Sequence, residues 1–220
     1  MSEHKRLVLG LNGALVTWCG GMPNLLKVLK TLDNSFLMSV PNSTYTLTEF
    51  LYKGLGKHRL LLDSGGYTLF VKQSKLDTAS FEKECQKVHA RFLKFLRVAE
   101  FDMIFELDNE YFRKDEDLLS PNNYCRQEVK DITGFYPTPV FKMHQGYQYW
   151  KDLCESELYP SLSIGGLAPS RSWILYKDEI TKMVSYARQC GKKVHLLGCR
   201  NVEVASAAKP DTVDYDISLF

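Results

Sequence analysis

Leu60-Leu61-Leu62-Asp63-Ser64-Gly65-Gly66-Tyr67 is the stretch around which the chain is read. Three apolar residues in succession, bounded by turn formers, predict a fully buried strand. The strand stops at a carboxylate, a hydroxyl and two glycines. A charge there is costly to bury unless something uses it. The glycines free the backbone to approach a ligand closely or to take positive φ, and Tyr67 offers a flat face beside the carboxylate. By itself the stretch is equally an ordinary strand exit with a capping Asp. Its weight comes from later strands that end in the same manner.

Toward the N-terminus, Leu7 to Leu11 predicts a strand ending at Asn12-Gly13, followed by a helix over 23–32 with Pro23 in its first turn. Phe36 to Val40 is a second strand and Leu47–Leu55 a short helix, with Arg59–Leu62 as the third strand. Toward the C-terminus, Phe81, Cys85, Val88, Phe92, Phe95, Leu96 and Ala99 form one apolar face of a helix over 80–100. Lys83, Lys87, Arg91, Lys94 and Arg97 share its other face, either a solvated surface or a track for phosphates. Met103 to Asp108 is a fourth strand, again stopping at a carboxylate, and Pro139 to Gly146 a fifth, with a helix around Tyr124–Thr133 between them. A helix rich in Tyr and Trp follows Gly146. Leu162–Leu167, Val194–Gly198 and Val213–Leu219 complete the strands, separated by a long helix over Trp173–Cys190 and a brief one over Val202–Ala208.

Eight short apolar strands alternating with seven helical segments predict parallel βα units. Eight such units make an α/β fold of the (β/α)8 TIM type, expected here as a single domain over residues 1–220 that lacks its last helix. That would leave one flank of the barrel for a partner subunit or a second copy to cover.

Composition narrows the class. Of 220 residues, 45% are apolar and 25% charged, ordinary for a globular chain, and no apolar run reaches the roughly 18 residues of a membrane span. No signal-peptide pattern precedes the first strand, so the cytoplasm is the expected location. The net charge of +2 gives no whole-protein attraction to nucleic acid, which places any such role on a local basic patch. The six cysteines are scattered, without a C-x-x-C pair or a His at zinc-ligand spacing. Most of them read as buried reduced thiols, and neither a metal nor a cofactor is expected. His144 and His195, both within expected strands, read as packed, hydrogen-bonded residues, and His89 carries no signal.

In a barrel of this type the active site lies at the C-terminal ends of the strands. Those ends supply Asp63-Ser64, Asp108, Gln145-Gly146, Gly165-Gly166, Gly198, and Asp214 with Asp216. Two residues apart on one strand, Asp214 and Asp216 point to the same face. Carboxylates, an amide and exposed backbone on one rim suit a planar ligand with many N–H groups, such as a guanine-type base.

Asp63-Ser64-Gly65-Gly66-Tyr67, Leu107-Asp108, Gln145-Gly146, Ile164-Gly165-Gly166-Leu167-Ala168, Leu197-Gly198 and Val213-Asp214-Tyr215-Asp216 resemble, in order and approximate spacing, the motifs of the tRNA-guanine transglycosylase superfamily. The resemblance covers about residues 59–217. It implies an enzyme, a pentosyltransferase that exchanges guanine in nucleic acid for a 7-deazaguanine. Asp63 falls at the family's general acid/base position, and Ser64 and Gly65 on the sugar side. Tyr67 would stack on the base and Asp108 would accept from its N1–H and amine. Gln145 and the Gly166 backbone would hold O6, with Gly165, Leu167 and Gly198 lining the pocket. The nucleophile is expected on the last strand, where gapless counting favours Asp214 and the aromatic-Asp pair Tyr215-Asp216 favours Asp216.

Thr68 stands where the family has Gln, Leu197 where it has a stacking Met, and the family's cysteine-rich zinc subdomain has no counterpart in the sequence. In type the chain is similar to the compact, zinc-free DNA transglycosylases of phages and DNA-modification clusters. The resemblance therefore implies DNA (or tRNA) and a free 7-deazaguanine base as partners, in a host cytoplasm if the source is viral. Two alternatives stay open. One is a non-catalytic, base-binding or partner-dependent subunit; the other is a transglycosylase or hydrolase acting on free nucleosides or nucleotides.

Overall fold

The computed structural model describes residues 6–11, 16–17, 19–108, 124–167, 171–199 and 201–216, without the side chains of residues 6, 7, 124, 171, 172, 215 and 216. The strands are β1 (Arg6–Leu11), β2 (Ser35–Ser39), β3 (Leu60–Asp63), β4 (Met103–Ile104), β5 (Val140–Lys142), β6 (Ser161–Gly165), β7 (Lys193–Leu196) and β8 (Thr212–Asp216). Their order in the sheet is β4-β3-β2-β1-β8-β7-β6-β5. Parallel pairing joins β2 to β3, β3 to β4, β5 to β6, β6 to β7 and β7 to β8. With helices between the strands, this is the α/β fold of the (β/α)8 TIM type that the alternating pattern predicts. Contacts divide the chain into two compact units, Gly10–Pro137 and Met1–Leu9 with Thr138–Phe220.

In the Gly10–Pro137 unit, helix α1 (Met22–Thr31) has its proline in the first turn and buries Leu25 and Leu29, while Val28 of the expected apolar set is exposed. Helix α2 (Tyr45–Leu55) starts two residues before the predicted span because the Thr44 side chain accepts from Leu47 N and caps it. A single 3-10 turn, Lys57–Arg59, then delivers the chain into β3. Arg59 belongs to that turn rather than to the strand. Its guanidinium donates to Leu29, Leu32 and Asn34 carbonyls at the end of α1. The three leucines of β3 are all buried, as a continuous apolar run requires.

Helix α3 (Gly66–Gln73) was not part of the expected pattern, because its glycine start and short length hide its periodicity. Helix α4 (Thr78–Val98) follows, capped by Asp77, whose carboxylate accepts from Ser80 N. Phe81, Cys85, Val88, Phe92, Phe95 and Leu96 are buried on one face as the spacing predicts. Leu69, Phe81, Cys85, Val88, Leu107 and Cys125 form a cluster that joins α3, α4 and α5 (Tyr124–Thr133).

In the other unit, helix α6 (Tyr147–Glu155) buries Tyr149, Trp150 and Leu153. Trp150 donates its indole N–H to Met183 O at 3.0 Å and meets Phe141 edge-on, with ring centroids 5.2 Å apart. The expected long helix after β6 is instead two helices, α7 (Arg171–Leu175) and α8 (Lys177–Gln189), broken at Tyr176. Asp178 and Glu179 occupy the first turn of α8, where carboxylates suit a helix start. Gly191, at φ +75°, closes α8 as predicted. Helix α9 (Val202–Ala208) has the predicted bounds and is capped by the Asn201 side chain.

The expected fourth and fifth strands are shorter than their apolar runs. β4 ends at Ile104, and β5 ends at Lys142, where Met143–Gln145 turns into a 3-10 helix. His144 is therefore exposed on that turn rather than packed in a strand.

Candidate functional site

In the Gly10–Pro137 unit the corner after β3 is tightly determined. Asp63 is half-buried at the strand end, and its Oδ1 accepts from Gly65 N at 3.1 Å. Gly65 has φ +89°, and a Cβ there would meet Pro41 Cγ at 2.6 Å, so both conformation and space demand glycine. A Cβ on Gly66 would overlap Asp108 Oδ1. The missing side chain lets the Asp108 carboxylate lie against the first residue of α3, where the helix dipole favours an anion. Asp63 and Asp108 thus flank one glycine pair. Tyr67 is next on α3 and 63% exposed, stacked on Phe70 with centroids 6.4 Å apart. Its open face is free to take a planar partner.

A buried polar frame supports this corner. Ser64, 1% exposed, donates its hydroxyl to Glu106 O at 2.8 Å. The Glu106 carboxylate accepts from Arg126 Nε of α5 at 2.6 Å, with both side chains almost wholly buried. Ser64 therefore ties β3's exit to the segment leading to Asp108, and Arg126 fixes that segment to α5. Neither Glu106 nor Arg126 stood out in the sequence. An acid two residues before Asp108 on an apolar run was the available signal, but its partner is twenty residues away on a polar-looking helix.

In the other unit, Gln145 folds back so that its side-chain oxygen accepts from Lys142 N at 2.7 Å. The amide oxygen is thereby engaged within the turn, and the NH2, a donor, takes no part in that contact. Gly165 packs closely against β5, since a Cβ would come within 2.8 Å of Val140 Cγ1. Gly166, at φ +72°, exposes its backbone, whereas Leu167 turns into the core.

Asp214 of β8 is 6% exposed. Its Oδ1 accepts from Gly198 N at 2.5 Å and lies 3.1 Å from His195 Nε2. His195 Nδ1 is in turn 2.8 Å from Thr212 Oγ1. Thr212 and Asp214 thus hold the two ring nitrogens of His195 from the same strand. His195 is thus the packed, hydrogen-bonded histidine its strand position predicts, but its partner is a candidate site carboxylate. The β7–β8 register, which pairs His195 with Thr212, brings them together. The Asp216 side chain lies outside the described residues.

The basic face of α4 divides. Arg91 donates to Ser43 O at 2.5 Å and packs over Tyr45 and Phe95, and Lys94 sits 4.5 Å above the Tyr45 ring. These two hold α2 to α4. Lys83, Lys87 and Arg97 are exposed and remain as a solvated track.

Among the described residues one group has metal-ligand character: His89 of α4 with Cys125 and Glu128 of α5, whose ligand atoms all lie within 4.8 Å of one another. Linear spacing could not show it, because the residues come from two helices.

No protein-family model and no curated protein matches the chain.

Proposed function

We propose that the chain is a nucleobase-exchange transglycosylase that replaces guanine in nucleic acid, DNA in preference to tRNA, with a free 7-deazaguanine base through a covalent Asp-glycosyl intermediate. The observation that carries this reading is the corner where Asp63 and Asp108 flank Gly65-Gly66 beside the exposed face of Tyr67. A half-buried, acceptor-only carboxylate suits the N1–H and amine of guanine. An exposed aromatic ring suits the base's face. The preference for DNA rests on the likeness to compact members of the superfamily that lack the cysteine-rich zinc subdomain.

In this reading Asp216 attacks C1′ of the target nucleotide, the C1′–N9 bond breaks, and Asp63 donates a proton to the departing guanine. An anion close to C1′ also stabilises the oxocarbenium-like transition state. The incoming base then attacks C1′ through N9, gives its proton to Asp63, and releases the Asp216 carboxylate. The target nucleotide has to be unpaired or flipped from its stack.

Asp214 is assigned as a positioning residue. Its burial and the two donors converging on Oδ1 suit a fixed acceptor better than a nucleophile that must reach a sugar. Trapping tests the assignment: the protein is incubated with an oligodeoxynucleotide bearing an unpaired guanine, denatured, and analysed by intact mass. Wild-type protein and Asp214→Asn should carry a glycosyl adduct, Asp214→Asn in lower yield, while Asp216→Asn carries none. An adduct in Asp216→Asn but not in Asp214→Asn would transfer the nucleophile's role to Asp214.

A further inference from the structure

Helices α4 and α5 bring three ligand-type side chains to one place, none of them assigned above to base exchange. His89 Nε2 and Glu128 Oε2 approach to 2.9 Å as an ion pair. The Cys125 sulfur completes a triangle with no side longer than 4.8 Å. Three donor atoms this close can converge on one cation with a modest adjustment of their side chains.

We propose that His89, Cys125 and Glu128 bind one divalent metal ion of the zinc class, with solvent as the fourth ligand. The donor set decides the class of metal. Thiolate and imidazole select zinc-like ions over magnesium and calcium, which prefer all-oxygen shells. Cys125 and Glu128 are three residues apart on α5, hence neighbours on one helix face, and His89 reaches them from α4.

The surroundings fit loading from solvent. Cys125 is buried, the His89 side chain is 13% exposed, and the Glu128 side chain is 42% exposed and gives the ion an entry path. On binding, Cys125 releases its thiol proton to solvent as the metal–sulfur bond forms, so affinity falls as pH is lowered. The bound ion would pin α5 to α4. Since α5 also carries Arg126, it would stiffen the Glu106–Arg126 pair beneath the candidate site.

Cobalt(II) and zinc(II) titrations of chelator-treated, full-length protein test the proposal. Cobalt should bind at one equivalent per chain with a thiolate-to-metal charge-transfer band, and zinc should displace it. Cys125→Ser should lose the band, whereas Cys190→Ser, changed in the other unit, should keep it. Glu128→Gln alters a partly exposed side chain that the fold tolerates. It should weaken zinc by at least about tenfold, the lower end of what even an outer-shell partner contributes. Zinc should also raise the thermal midpoint of the wild type and not of Cys125→Ser. Absence of stoichiometric binding to wild-type protein, a band that survives Cys125→Ser, or wild-type zinc affinity in Glu128→Gln would each overturn it. Base exchange need not be measured, so this result is separable from the fate of the transglycosylase reading.

Discussion

The Asp108 carboxylate occupies space that a side chain on Gly66 would fill. The glycine is therefore required by its neighbour rather than by its own backbone, since positive φ belongs to Gly65 and not to Gly66. Gly66→Ala should keep α3, whose first residue it is, yet displace Asp108. Overpacking of this kind costs about 1–3 kcal/mol. Asp108→Asn should lower stability only by the helix-dipole share of about 0.3–1 kcal/mol but weaken guanine binding more, because losing a charge-assisted hydrogen bond costs about 1.5–3 kcal/mol. Calorimetric titration with guanine, alongside thermal unfolding, separates the two effects. Wild-type affinity in Asp108→Asn would remove Asp108 from base recognition.

Arg126 and Glu106 form an ion pair closed to solvent. Removing one partner strands a charge, so Arg126→Ala should destabilise by about 3–5 kcal/mol in denaturant unfolding. The paired replacement Glu106→Leu with Arg126→Met should recover much of that loss, since apolar groups of similar size need no partner. A double variant as unstable as Arg126→Ala would mean that the charge pair itself, not its completeness, holds this corner.

His195 links Thr212 to Asp214 inside the Thr138–Phe220 part of the chain. His195→Leu fills similar space but leaves Asp214 short of a donor, at a cost of about 1–3 kcal/mol. If Asp214 positions the reacting groups, this variant should lower the exchange rate with little change in guanine affinity. An unchanged rate would confine His195 to a packing role.

Burial pushes the Cys154 thiol up from 9.0 to about 12 and the Cys199 thiol up from 9.0 to about 11. The unfolded chain would lose these protons near pH 9 while the folded chain keeps them. Stability from this source is therefore full below pH 9 and is lost as pH rises through about 11 to 12. The same burial slows alkylation, because the thiolate is the reactive form. Timed alkylation near neutral pH should label Cys19 and Cys190, the two half-buried cysteines, before Cys154 and Cys199. Early labelling of Cys154 would show that its helix opens locally.

The parts of this fold that were readable in the sequence are those whose burial is written in local pattern. The three leucines of β3, the apolar stripe of α4 and the Asn201-capped α9 are examples. Residues whose role depends on a partner far along the chain were not readable. Glu106 and Arg126 look like surface charges until the segment after β4 meets α5. His195 and Asp214 become partners only through the β7–β8 register. Arg91 and Lys94 read as part of a solvated face or a phosphate track until Tyr45 is seen beneath them. The break at Tyr176 escaped because apolar periodicity runs across it, and α3 because it begins with glycine.

Transfer of label into a polymer tests the central claim most directly. The protein is incubated with radiolabelled guanine, or a labelled 7-deazaguanine, and either DNA or tRNA; acid-precipitable label is then counted. The transglycosylase reading predicts time-dependent incorporation into DNA, less into tRNA, and none with Asp63→Asn. Folded, base-binding protein that labels neither polymer would contradict it and favour a binding subunit, and label found only in free nucleosides would move the activity off nucleic acid.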